Sequence, residues 1–280
     1  MVGAGEPAAP APATQDKKAI PKGKKELKLL MLHGYTQSGP LFSAKTKALN
    51  KLLIKALGPA PLNLHPTLIF PTGPHRLRPS DIPGYSPPED GSEEVDEDDL
   101  DNWTWFRRDE ASNQYRGIEA GFHAIARAIR DAGGVDGVIG FSQGGCMAGL
   151  VTAALEHPHR SPHADSSSSS ISWVQELRAA NNEQPVKFGV IYSGFRATPA
   201  DLQWLYEPAI ATPTLHFLGG LDTVVEEKRS QALIERCRDP VVVTHPGGHY
   251  VPVARDWAMH LIGWLRQRCL EAADESKESP

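Results

Sequence analysis

The stretch Gly137–Val151, GVIGFSQGGCMAGLV, decides the fold of this chain. Its opening residues belong to a continuous apolar run, Val135–Phe141, of the kind that forms a strand buried on both faces. Its small residues from Gly144 onward predict a tightly packed helix reaching about Leu155. Between them, Gly140-Phe141-Ser142-Gln143-Gly144 has the pattern G-x-S-x-G, which holds a serine on a sharp strand-to-helix turn. The two glycines remove side chains that would obstruct so tight a turn, and the helix N-terminus brings partial positive charge beside the serine oxygen. The bland alternative is a plain βα turn with a solvent-facing serine.

Outward from this point, strand-like and helical runs alternate. Strands are expected at Leu27–His33, Thr67–Phe70, Lys187–Tyr192, Thr214–Leu218 and Val241–Thr244. Helices are expected at Phe42–Leu57, Gln114–Ala132 and Val253–Cys269, the last packing Trp257, Leu261 and Leu265 inward. Such alternation predicts an α/β fold with a mainly parallel central sheet and helices on both faces. The catalytic domain is expected over residues 27–272, with a disordered tail at 1–26 and a C-terminal tail at 273–280. Two insertions interrupt the pattern. Residues 81–101 carry ten Asp or Glu and no Lys or Arg, so they repel themselves and bury little. Residues 157–170 are low in complexity and rich in serine. Both are expected to be disordered surface loops.

The composition removes several function classes. The chain has 280 residues, 40% hydrophobic, with a formal net charge of −5. No run approaches the roughly 18 apolar residues of a membrane span, and the N-terminus lacks the apolar stretch of a secretory signal. The lysine cluster closing the N-terminal tail reads as solubilising, because the whole chain is acidic; no nucleic-acid partner is expected. Cys146, Cys237 and Cys269 fit neither a disulfide framework nor a zinc site, which points to a reducing, cytoplasmic location. The acidic tract lacks the ordered spacing of a calcium loop, and nothing orders the histidines of the serine-rich loop. Neither a metal nor a cofactor is expected.

A serine hydroxyl is a poor nucleophile until a base takes its proton, and on this kind of turn the partners follow in the order Ser, Asp/Glu, His. Asp222 stands just beyond the strand PTLHFLG, at the end of the sheet where open α/β folds gather functional groups. Its rivals, Glu226 and Glu227, are expected one turn into a helix and pointing away. His249 follows a glycine pair in the loop after the last strand and is the preferred base. His245, at that strand's end, is its rival and reads more easily as structural. The oxyanion of an acyl-transfer intermediate needs backbone donors. Gln143, directly after Ser142, supplies one. Tyr35, in the loop after the first strand, is the choice for the other, with Thr36 second. His33 is expected to brace that loop. Trp103, Trp105, Phe106, Phe195, Trp204 and Tyr206 are candidates for an acyl pocket, or else simply cover the sheet.

Seven motifs together resemble the FSH family of fungal serine hydrolases, α/β-hydrolases related to the animal ovarian cancer-associated gene 2 protein. They are LMLHGYTQSG (30–39), FPTGPH (70–75), W-x-W-F (103–106), GVIGFSQGGCMAGL (137–150), YSGF (192–195), PTLHFLGGLDTVV (213–225) and HPGGHYVP (245–252). The resemblance spans about residues 28–265 and leaves out the N-terminal tail and both insertions. It implies Ser142 as nucleophile, Asp222 and His249 as its partners, and Tyr35 and Gln143 as oxyanion donors. It also implies a carboxylesterase or thioesterase acting on a small ester or acyl thioester, with carrier-protein-bound acyl groups among the precedents. GFSQGG is similar to the acyl-protein thioesterases as well, though HGYTQSG departs from the HGxGD pattern of that branch. A transacylase would use the same three residues. A non-catalytic binding protein on the same fold is the remaining alternative. Oligomeric state has no signature in the sequence.

Overall fold

The computed structural model describes residues 13–14, 20–82, 101–161 and 168–278. In chain order the strands are β1 (Ala13–Thr14), β2 (Lys25–Leu32), β3 (Leu64–Phe70), β4 (His75–Arg76), β5 (Trp103–Thr104), β6 (Arg107–Asp109), β7 (Gln114–Arg116), β8 (Gly137–Phe141), β9 (Phe188–Tyr192), β10 (Thr214–Gly219) and β11 (Val241–His245). The helices are α1 (Gly39–Lys45), α2 (Lys47–Leu57), α3 (Ile118–Asp131), α4 (Gln143–Ala154), α5 (Ser168–Ala180), α6 (Glu227–Ile234) and α7 (Arg255–Glu278). Seven strands form the main sheet in the order β1-β3-β2-β8-β9-β10-β11, parallel except for the antiparallel β1.

Side-chain alternation along the central strands feeds two cores. Leu30 and Leu32 of β2 and Val138 of β8 face a layer built from α3, α4 and α5, where Phe122 stacks on Trp173 with ring centroids 3.9 Å apart. Leu29, Met31, Ile139 and Phe141 face the other layer, which takes Leu49, Leu53 and Leu57 from α2 and Leu261, Ile262 and Leu265 from α7. Every residue of α4 is buried, so a helix of Gly, Ala and Cys is what the crowded sheet centre accommodates.

Four boundaries depart from the sequence expectations. The helix expected over Phe42–Leu57 is two, broken at Thr46, whose hydroxyl donates back to the Phe42 carbonyl. The N-terminal part of the helix expected from Gln114 is instead strand β7, paired with β6, with Tyr115 stacked on Phe106 at 4.1 Å. In the segment expected to be a disordered tail, Ala13–Thr14 pair with Phe70 and Ile69, and Lys25 already belongs to β2. The last helix runs on to Glu278, because the sequence past Cys269 favours a helix without offering an apolar face. Most of the acidic tract (83–100) and part of the serine-rich loop (162–167) lie outside the described residues; α5 begins at Ser168 within the latter.

The connection from β2 runs outward to β3, whereas β8 leads the opposite way to β9. The sheet therefore has its switch point between β2 and β8, the place at whose carboxyl ends open α/β sheets gather their functional groups. Among the described residues no helix is long and apolar enough to cross a membrane.

Candidate active site

Ser142 occupies the turn between β8 and α4 at φ +55°, ψ −115°, a strained conformation for a residue with a side chain. Its N–H donates to the Tyr192 carbonyl at 2.8 Å, which fastens the turn to β9. A Cβ on Gly140 would lie 2.0 Å from the Gly144 carbonyl oxygen, and one on Gly144 would lie 2.2 Å from the Leu32 oxygen. The first and last residues of the motif are thus glycine because backbone fills the space of a side chain.

Three loops converge here. The Ser142 Oγ lies 2.9 Å from His249 Nε2, and His249 Nδ1 lies 2.8 Å from Asp222 Oδ2. With a carboxylate accepting at Nδ1, the proton sits there and Nε2 is left free to accept from the serine hydroxyl. The Asp222 Oδ1 accepts the backbone N–H groups of Val224 and Val225, each at 2.9 Å. Burial acts to raise the Asp222 pKa, but hydrogen bonds from His249 and the Val225 N–H outweigh it and hold the carboxyl below its ordinary value. The loops carrying Asp222 and His249 are tied together: Gly220 N–H donates to the His245 carbonyl at 2.7 Å, and Leu221 N–H to the Gly247 carbonyl at 3.0 Å.

The rivals stand elsewhere. His245 is buried against Tyr250 and Trp257 and accepts from the Gly247 N–H at 3.2 Å, with burial lowering its pKa. Glu226 is not inside a helix but at the N-terminal boundary of α6, paired with Lys228. Glu227 is exposed in the first turn of α6.

The loop after β2 is braced from below. His33 is fully buried; the Gly73 N–H donates to its Nε2 at 2.9 Å, so Nδ1 carries the proton and donates to the Gly34 carbonyl at 2.8 Å. Burial lowers its pKa to about 4. The Trp105 indole N–H donates to the His33 carbonyl at 2.9 Å. Beyond it, Thr36 has φ +61° and the Tyr35 hydroxyl donates to the Asp81 carbonyl at 2.8 Å, so the tyrosine ring is pinned by its tip.

One residue that sequence reasoning used only for its backbone does more. The Gln143 side chain is buried, and its Oε1 accepts from the Trp105 N–H at 2.9 Å and lies 2.7 Å from the Thr104 hydroxyl. Its Nε2 donates to the Phe106 carbonyl at 2.8 Å. The amide therefore clasps the W-T-W-F segment to the first turn of α4. An amide side chain beside the serine, with an aromatic segment elsewhere, was the only trace of this in the sequence. The candidate pocket aromatics are themselves interior: Trp105, Phe106, Phe195, Trp204 and Tyr206 belong to the same buried cluster as Cys146 of α4. Trp103 is also buried, though outside that cluster, its indole N–H donating to Asp101 at 2.9 Å. Asp101 also takes the hydroxyl of Ser38.

A mainly parallel sheet with a strained serine between its central strand and a buried helix defines the α/β-hydrolase class. The family model described as serine hydrolase (FSH1) matches residues 23–261, and the chain belongs to this family. Over 263 residues it is 30% identical to family of serine hydrolases 3 of Saccharomyces cerevisiae, covering 90% of this chain and 88% of that one. It is also 30% identical to the zebrafish (Danio rerio) esterase OVCA2, over 81% of this chain and 91% of the other. A Schizosaccharomyces pombe protein named dihydrofolate reductase is 33% identical over 81% of this chain, which spans only 44% of that protein's length. Among solved structures, the fold is similar to that of esterase PE8 (TM-score 0.52, 19% identity, 94% of this chain and 99% of that one). It is also similar to acyl-protein thioesterase 2 of Zea mays (TM-score 0.51, 19% identity, 89% and 96%).

Proposed function

We propose that this serine hydrolase cleaves a carboxylic ester or acyl thioester through a covalent acyl-enzyme on Ser142. The observation that carries the reading is the unbroken row Ser142 Oγ, His249, Asp222, at 2.9 and 2.8 Å, on loops from three different strands. In this reading His249 Nε2 takes the Ser142 proton as Oγ attacks the acyl carbonyl, and Asp222 holds the imidazole and steadies its positive form. The backbone N–H of Gln143 lies in the first turn of α4, where helix geometry gives it no partner four residues back. Together with the N–H of Tyr35 it receives the tetrahedral oxyanion, each donor worth roughly 3 to 4 kcal/mol in the transition state. His249 then protonates the leaving alcohol or thiol and activates the water that frees the acid. These residues complete the chemistry without a metal or cofactor.

The acyl chain is proposed to lie against the segment that Gln143 fastens beside the serine, with the interior aromatics Trp103, Trp105, Phe106, Phe195, Trp204 and Tyr206 backing it. The three unpaired thiols support a reducing compartment, the cytoplasm. A fluorophosphonate probe tests the central claim. It should label the protein stoichiometrically at Ser142, with p-nitrophenyl esters and an acyl thioester both hydrolysed. Absence of labelling in folded protein, or labelling that persists in Ser142→Ala, would remove Ser142 from the mechanism.

A further inference from the structure

Asp222 has one acceptor position to spare. A carboxylate offers about four lone-pair directions. Val224, Val225 and His249 fill three of those on Asp222, two at Oδ1 and one at Oδ2. A cavity of about 170 Å³ adjoins this carboxylate, and Ser193, Gly219, Ser230 and Thr244 share its walls. Of these, Ser230 has spent its hydroxyl on the Gly194 carbonyl at 2.7 Å. Ser193 has not. It is 2% exposed, and its Oγ is buried with no hydrogen bond in this conformation.

The backbone adds a second, independent observation. Ser193 sits at φ +44°, directly after Tyr192, whose carbonyl anchors Ser142, and its own N–H donates to the Phe217 carbonyl at 2.8 Å. Glycine would relax that conformation, so a serine kept there points to a use for its side chain.

We propose that Ser193 is a positioning residue, its hydroxyl supplying the fourth hydrogen bond to Asp222 and so fixing the carboxylate that orients His249. A buried donor lacking an acceptor stands beside a buried acceptor lacking a donor, and rotation of one hydroxyl satisfies both. Although not in hydrogen-bond geometry, the Ser193 hydroxyl is close enough to act in the same direction as the bonds from His249 and Val225, which, against burial, hold the Asp222 carboxyl below its ordinary pKa. The inference rests on the reading of Asp222 as the partner of His249.

Ser193→Gly tests it, because the substitution deletes the hydroxyl while easing the backbone, so folding is not at stake. With a p-nitrophenyl ester, kcat/KM should fall about tenfold, in kcat rather than KM. The acid limb of the pH profile should move to higher pH, since a carboxylate stripped of a donor holds the imidazolium more tightly. Ser193→Gly in an Asp222→Asn background should cost nothing further. Parent kcat/KM and an unmoved acid limb in Ser193→Gly would overturn the proposal, as would an equal loss with and without Asp222. If Asp222→Asn alone kept the parent rate, the reading of Asp222 would fail and this inference with it.

Discussion

Ser142 contributes almost nothing to packing, and this separates chemistry from stability at the site. Ser142→Ala should abolish esterase turnover and leave the thermal midpoint within about a degree or two, since an elbow hydroxyl with one hydrogen bond is worth at most about 1 kcal/mol. A variant hydrolysing p-nitrophenyl acetate at the parent rate would refute the assignment. His249→Ala and Asp222→Asn should each lower kcat by on the order of 10³-fold or more, and either added to Ser142→Ala should cost little extra. His245→Ala should instead damage folding, because His245 is buried under Tyr250 and Trp257. A folded His245→Ala as inactive as His249→Ala would reverse the choice of base. The three reacting residue types were legible because each sits where a strand ends, which sequence marks clearly. The Gln143 clasp and the Ser193 hydroxyl are not, because both depend on side chains meeting across roughly 30 to 40 residues of chain.

Elements follow the same logic. Strands β8, β9 and β10 were readable as apolar runs because they are buried on both faces. The break at Thr46 was not, since the apolar stripe continues across it and only the hydroxyl's bond to Phe42 marks the kink. Strand β7 carries no strand signal of its own, because three residues are too few to show a period, and pairing with β6 decides its state. At the elbow the element boundary is enforced by contact distance. Gly144→Ala places a methyl 2.2 Å from the Leu32 oxygen, where backbone, not a pliable side chain, must yield. It should destabilise the protein by about 2 kcal/mol or more, read as a lower urea midpoint with an unchanged m-value. An alanine variant as stable as the parent would mean that α4 can shift away from β2.

For the molecule as a whole, acid should be felt before any carboxylate titrates. His33 and His216 are buried and neutral, and burial brings each down from 6.5 to about 4. Between those values the unfolded chain takes up protons that the folded chain refuses, so stability falls as pH drops from about 6.5 to about 4 and levels off below. Each histidine can cost up to about 3 kcal/mol across that window. Urea unfolding at pH 7, 5.5 and 4.5 should show a steady decline, and a flat profile would mean that both rings take up protons in the folded state as readily as in the unfolded chain. The fold class and its helices on both faces are readable in the chain because alternation alone implies a covered parallel sheet, whereas which helix covers which face is decided by packing between distant elements. One contact reaches beyond energetics. Gln143 presents its main chain to the reaction and its side chain to the neighbouring aromatic segment. In a library of all single substitutions sorted once for cellular abundance and once for ester turnover, Ser142, Asp222 and His249 should be depleted only in the second sort. Gln143 should be depleted in both, a double signature that sets it apart from its neighbour Ser142, and even glutamate should fail there, because it offers Phe106 no donor.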